Sequence, residues 1–427
     1  MRTFRTRNGR WLLALLLCGA GGTAHAQLGL PSLPLPQRLG LDTQQLTRPA
    51  ERLLDRNVIA DLRTVRAELV RKLLAEQARV VEADPVGQPV RRGEILAWAP
   101  GEAGRSAARA LGLAVLREEN LEGSVLLVLR VPENLSTVAA LAQLRAADPE
   151  GSYDFNHLYN ESGSAPGVPA AQDSGRLRVG LIDAGVDGEH PVFQGTEIVR
   201  WGCGGSAVPS SHGTAVAALM VGRSERFHGA LPEARLYAAD IYCGDAASAS
   251  VDRIAGALAW MAREKVGVVN ISLVGPANQA LERAVAAMVA KGHLLVAAVG
   301  NDGPAAPPLY PASYPGVVGV SAVDRQGRPL PEAARGAQVM FAAPGSQMVS
   351  ATVGAPPYRQ VRGTSFASPI VAALLAPALP VPSPESAKAA VAALAKKARQ
   401  ADGVTVSNTT GYGVVGSELR IDPSRLR

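Results

Sequence analysis

Cysteine is scarce, with three in 427 residues. Two cysteines without clustered histidines do not make a zinc site, so no metal chemistry is indicated. Long apolar runs are also missing. The stretch 11–17 is too short to cross a bilayer, and no later segment reaches spanning length without charges; no transmembrane segment is expected. Nor is there a strong charge of one sign. Arg2, Arg5, Arg7 and Arg10, the apolar run 11–17 and the small-residue site Ala24-His25-Ala26 have the form of a secretory signal over residues 1–26. Cys18 invites a lipid anchor, but Leu17 before it is too large for the usual lipidation signal. Removing the four arginines takes the formal charge from +6 to +2, so the high pI implies no nucleic-acid partner. The expected location is outside the cytoplasm, periplasmic or extracellular, and the Arg- and Ala-rich composition suits a GC-rich bacterial genome.

Three short segments carry reactive side chains where local backbone presents them well. In Val179-Gly-Leu-Ile-Asp-Ala-Gly185 an apolar run ends in Asp183. The run reads as a buried parallel strand, whose carboxyl end is where chemistry collects in open α/β sheets. In Ser211-His-Gly-Thr214, His212 stands at the start of a helical run of small apolar residues, Ala215 to Met220. In Gly363-Thr-Ser-Phe-Ala-Ser-Pro369, Ser365 opens another buried helix, whose positive end favours developing negative charge. Each has a bland reading alone: a loop-capping Asp, a His or Ser in an N-cap region. In the order Asp, His, Ser, 29 and 153 residues apart, they supply an orienting carboxylate, a base and a nucleophile for acyl transfer. A fourth segment, the run 294–299 followed by Gly300-Asn-Asp-Gly-Pro304, ends a strand in Asn301, whose amide suits an oxyanion donor.

These residues resemble the subtilisin-like serine proteases, the subtilases, from about Arg176 to the C-terminus. Asp183, His212, Asn301 and Ser365 fall on the family's motif positions. Val268-Val-Asn-Ile-Ser-Leu273 resembles the strand that pairs with substrate backbone, which implies substrate binding by Ser272, Leu273, Val274 and Gly275. Leu309-Tyr-Pro-Ala-Ser-Tyr-Pro-Gly-Val-Val318 is similar to the base of the specificity pocket, and Gly411-Tyr-Gly-Val-Val415 to the closing segment of the domain. There are departures. Val274 stands where many subtilases have glycine, which makes one wall of the specificity cleft bulkier. Ala215 stands where a second histidine is frequent. The basic stretch 222–229 does not look like a calcium loop.

The resemblance implies an α/β fold, a doubly wound parallel sheet, over residues 176–427. Strands are predicted near 177–183, 236–241, 266–273, 294–299 and 317–323, with helices near 212–221, 251–265, 279–291, 365–375 and 385–399. Residues 91–160 read β-α-β-β-α-β, with Ser136 as an N-cap. This is a smaller α+β ferredoxin-like domain that resembles the subtilase propeptide, an intramolecular inhibitor and folding assistant. Residues 27–90 combine a Leu/Pro-rich stretch with a charged helix from 57 to 82. Residues 161–175 are a Pro/Gly-rich exposed linker. Cys203 and Cys243 remain after the signal is removed; in an oxidising compartment they suit a disulfide, or else two buried thiols.

The expected function is an exported serine endopeptidase acting on peptide or protein substrates with no cofactor, and cutting itself within or beside 160–175. A narrower rival is a processing protease for one exported partner. An inactive binding scaffold on the same fold is the reading from a different class, and the intact Asp-His-Ser set with Asn301 argues against it.

Overall fold

Chain order begins with a small sheet. In the computed structural model, which describes residues 66–121, 123–161, 177–399 and 406–426, helix α1 spans 66–76. There follow β1 (Val81–Ala83), β2 (Pro89–Trp98), α2 (Glu102–Ala110), β3 (Ala114–Leu121), β4 (Ser124–Arg130), α3 (Thr137–Ala147), β5 (Ser152–His157) and β6 (Asn160–Glu161). The signal 1–26, the Leu/Pro-rich stretch, the first part of the charged helix and all but the first residue of the linker lie outside the described residues. The helix predicted to reach 82 ends at 76: Val81 instead pairs with Arg91 in β1. The folded unit therefore starts ahead of residue 91.

β2 is central, antiparallel to both β4 and β5, and β3 pairs with β4. With the intervening helices this is the ferredoxin-like order. Ser136 caps α3 as predicted, accepting from Ala139 N–H at 3.2 Å. Alternation along the strands divides the residues between two faces. Ile95, Leu127 and Leu129 pack with Leu141 and Leu144 of α3. Leu96, Leu126 and Val128 face the other way and join the core of the larger domain. That second face is apolar and has no cover within its own domain, so the small sheet needs the larger domain to bury it.

The larger domain comprises β7 (Arg178–Asp183), β8 (Ile198–Trp201), α4 (Ser211–Val221), β9 (Arg235–Asp240), α5 (Val251–Arg263), β10 (Val268–Ile271), β11 (Leu273–Val274), α6 (Gln279–Ala290), β12 (Leu294–Ala298), β13 (Val318–Val323), β14 (Val339–Pro344), β15 (Met348–Ala351), β16 (Tyr358–Val361), α7 (Ser368–Leu375) and α8 (Pro384–Lys397). Its main sheet has seven strands in the order β14-β13-β12-β10-β7-β9-β8, and every pair is parallel. The five predicted central strands are all present. The edge strands β8 and β14 were not predicted: Ile-Val-Arg-Trp is short and carries an arginine, and β14 closes on a proline. Each buried strand feeds two cores. Leu294 and Val296 pack under α4, α7 and α8, while Leu295 and Ala297 pack under α5 and α6.

The small sheet sits on α5 and α6 and also supplies polar groups to their amino ends. Asp154 accepts from Gln279 N–H at 2.8 Å, at the first residue of α6. Asn156 Nδ2 donates to Glu94 (2.8 Å) and to Asp252 in the first turn of α5 (2.9 Å). Arg117 reaches the same two carboxylates, at 2.8 and 2.9 Å. Asp154 thereby satisfies an orphan N–H and complements the helix dipole of α6, while Asn156 and Arg117 donate to the buried carboxylates of Glu94 and Asp252.

Cys203 and Cys243 are joined by a disulfide, with Cα atoms 5.3 Å apart and a sequence separation of 40. It ties the loop after β8 to the loop after β9. Under the chain-entropy model a loop of this length is worth about 4 kcal/mol. Replacing both cysteines by serine is expected to lower Tm by several degrees, and peptide mapping without reductant should recover a Cys203–Cys243 crosslink. Two freely alkylated thiols in unreduced native protein would contradict it.

Candidate active site

β7 ends at Asp183, and the next turn brings Ala184 and Gly185 against the start of α4. That approach requires Gly213: a Cβ there would lie 2.1 Å from the Ala184 carbonyl oxygen and 2.6 Å from that of Gly185. The helix start is fixed by Ser210, whose side chain accepts from His212 N–H at 3.1 Å. His212 is thus the second residue of α4, and its Nδ1 meets Asp183 Oδ1 at 2.7 Å. Both side chains are buried. A carboxylate on Nδ1 makes that nitrogen the N–H tautomer and turns Nε2 toward the chemistry.

Ser365 lies in a short 3-10 turn, Thr364–Phe366, and α7 begins only at Ser368. The continuous helix predicted from Ser365 is therefore broken. Pro369 is the second residue of the α-helix proper, where its missing N–H is tolerated. The His212 and Phe366 rings lie 5.3 Å apart, so the base packs beside the nucleophile turn. Beneath it, Ser272 Oγ donates to the Ser365 carbonyl at 3.0 Å and meets Ser368 Oγ at 3.0 Å, while Asn270 Nδ2 donates to Ser272 at 2.8 Å. Ser272 was expected among the substrate-binding residues. Its hydroxyl supports the segment that carries Ser365 from below.

Thr364 ties this turn to the strand end that carries Asn301. Its N–H donates to Asn301 Oδ1 at 3.0 Å, and its Oγ1 accepts from Gly300 N–H at 3.2 Å. With Oδ1 so engaged, Asn301 presents Nδ2 as a donor. Gly363, at φ +134°, lets the chain pass the amide: a Cβ there would stand 3.0 Å from Asn301 Nδ2. In the sequence Thr364 reads only as part of a turn, and nothing in its spacing signals that it binds Asn301 and the backbone of Gly300.

Leu273, Val274 and Gly275 were expected to bind substrate. Leu273 and Val274 form β11 and pair antiparallel with Glu161 and Asn160 of β6, so the end of the small domain lies along this strand. Gly275 follows β11, and its N–H and carbonyl pair with Tyr310 at 2.9 and 3.0 Å. The bulk of Val274 also tells. A Cβ placed on Gly300 would be 2.5 Å from Leu309 Cδ1 and 3.7 Å from Val274 Cγ1, so these two side chains crowd the strand end next to Asn301. Among the described residues, the one grouping of potential metal ligands is Cys203, Asp240 and Cys243, and its two sulfurs are joined to each other.

A sequence model of the subtilase family matches residues 175–413. The chain belongs to the subtilase family. This subtilase is 34% identical over 224 residues to M-protease of Shouchella clausii strain KSM-K16, a match covering 49% of the chain and 56% of that relative. It is 34% identical over 220 residues to subtilisin Savinase of Lederbergia lenta, covering 48% and 78%. The chain thus spans little more than half the length of M-protease. Among solved structures, fervidolysin from Fervidobacterium pennivorans shares the fold, with a TM-score of 0.66, 20% identity, and coverage of 79% of this subtilase and 62% of fervidolysin.

Two substitutions test the geometry. Asn301→Ala is expected to lower kcat by about 10²–10³-fold with KM little changed, because the amide acts on an oxyanion formed in the transition state; a loss confined to KM would count against it. Val274→Gly is expected to raise kcat/KM for substrates with a large residue before the cut bond relative to those with alanine, read on a series of peptide anilides. An unchanged ratio would show that Val274 does not limit that site.

Proposed function

We propose that the protein is an exported serine endopeptidase in which Ser365 Oγ attacks the scissile carbonyl as His212 Nε2 takes its proton. Asp183 holds the imidazole and stabilises its positive form. Asn301 Nδ2, with the Ser365 backbone N–H, holds the oxyanion. Collapse of the tetrahedral intermediate breaks the C–N bond, and His212 returns the proton to the leaving amine. Water then repeats the sequence in reverse on the acyl-enzyme, again through His212. The observation that carries this reading is the Asp183–His212 contact of 2.7 Å, next to a serine turn that is hydrogen-bonded through Thr364 to Asn301. No cofactor enters the mechanism. The test is labelling with a fluorophosphonate probe: wild type should label and hydrolyse peptides, and Ser365→Ala should do neither, with a fall in activity of many orders of magnitude. Near-wild-type activity in Ser365→Ala would defeat the proposal.

The small domain is read as an inhibitory propeptide that the enzyme removes from itself. Support comes from β6, which already adds to β11 as a strand beside the site, the manner in which an extended substrate binds. A bond held there is attacked intramolecularly, at high effective concentration. The cut is expected within or beside 160–175, the Pro/Gly-rich stretch that follows β6. Mass spectrometry of exported protein should find that cut in wild type and an uncut chain in Ser365→Ala. If both stay uncut while wild type hydrolyses peptides, the small domain is a permanent accessory.

A further inference from the structure

The last pair in the register of β7 with β9 sets two carboxylates side by side: Asp183 stands opposite Asp240. Residues directly opposite in a parallel pair project to the same face, so Asp240 lies beside the carboxylate that holds His212. Both are buried, with 1% and 8% of their surface exposed. Asp183 Oδ1 meets the Ala184 N–H and His212 Nδ1, each at 2.7 Å. Asp240 Oδ1 accepts from the N–H groups of Tyr242 and Cys243, each at 2.9 Å. Among the described residues the second oxygen of each carboxylate meets no donor. Asp240 Oδ2 is aimed at the turn after Asp183, since a Cβ on Gly185 would stand 2.8 Å from it. That turn is the one on which the start of α4 rests. An asparagine would satisfy the same two N–H groups without burying a second charge, so the acid at this position calls for another reason.

Charged groups on three elements bear on the Asp240 carboxyl. Burial, the largest effect, and the charge of Asp183 on β7 raise its pKa, against the two N–H donors and Arg253 of α5; the net shift is upward. Arg200 of β8 also feels Asp240, together with Asp187 and Glu189. Neither guanidinium pairs with Asp240 directly. Arg200 Nη1 donates to the Val186 carbonyl at 3.1 Å, and Arg253 Nη1 to Cys243 Sγ at 3.3 Å. The charge on Asp240 is therefore not cancelled at contact. We propose that Asp240 is a positioning residue for the reaction, a second carboxylate behind Asp183 that favours the cationic form of His212. The proposal rests on Asp183, His212 and Ser365 being the reactive set, and deepens that reading. A negative charge near an imidazole raises its pKa. It therefore costs activity at acid pH, where the neutral base is needed, and helps in the transition state, where the imidazolium forms. The Cys203–Cys243 disulfide anchors the loop whose amides grip Oδ1, so it also holds this carboxylate in place.

The experiment compares pH profiles of kcat/KM on a peptide anilide. Asp240→Asn removes the charge and keeps an acceptor for Tyr242 and Cys243; Asp240→Ser removes the charge with less bulk. In both, the acid limb should move about half to one pH unit below that of wild type. The plateau kcat should fall about three- to ten-fold, the same shift read as lost stabilisation of the imidazolium. Asp240→Glu keeps the charge and should keep the wild-type acid limb. An unmoved limb in the two neutral variants, or an equal shift in Asp240→Glu, overturns the proposal. So does failure of both neutral variants to fold, which would make the carboxylate a requirement of the fold alone. If wild type neither cuts peptides nor labels with the fluorophosphonate probe, the proposed function itself fails. The coupling is then read without catalysis, from the titration of the His212 ring by NMR in the full-length Ser365→Ala chain. Adding Asp240→Asn should lower its midpoint by about half to one unit, and an unchanged midpoint would remove Asp240 from the proposed role.

Discussion

At Gly213 the first turn of α4 rests on the backbone carbonyls of Ala184 and Gly185, closer than any side chain would permit. The rest of the site depends on that approach. It sets the distance between the end of β7 and the second residue of α4, and so brings the Asp183 carboxylate and the His212 ring to 2.7 Å. The same device recurs at Gly363, which lets the nucleophile turn pass the Asn301 amide. The parallel sheet, buried on both faces, holds the strand ends rigidly enough for such contacts to persist.

Hydrogen bonds then convert proximity into orientation. Thr364 receives Gly300 N–H and donates to Asn301, which decides which end of the amide faces the reaction. Ser272, Asn270 and Ser368 support the Ser365 turn from below. None of these residues carries out a chemical step. They hold reacting groups in place without reorganisation, the arrangement on which oxyanion stabilisation depends.

The small domain and the larger one complete each other. The apolar face formed by Leu96, Leu126 and Val128 has its cover on α5 and α6. In return Asp154 and Asn156 supply polar groups at the starts of those helices. The end of the same domain lies along β11 with Tyr159 buried beside it. The residues that end the small domain thus pack on the larger one beside the segment that carries Ser365.

The sequence alone determined the family, because the segments around Asp183, His212, Asn301 and Ser365 are local motifs whose glycines and apolar runs are contiguous in the chain. The central strands and the β-α-β-β-α-β order were legible for the same reason: periodicity is a local property. Edge strands β8 and β14 were not, since β8 is only four residues long and carries an arginine and β14 closes on a proline. The break ahead of α7 and the early end of α1 were decided by packing rather than by propensity. The hydrogen bonds of Thr364, of Ser272's hydroxyl and of Tyr159 belong wholly to the tertiary structure. Their partners lie 63, 93 and 117 residues away, and no spacing along one chain records which distant atoms a fold will bring together.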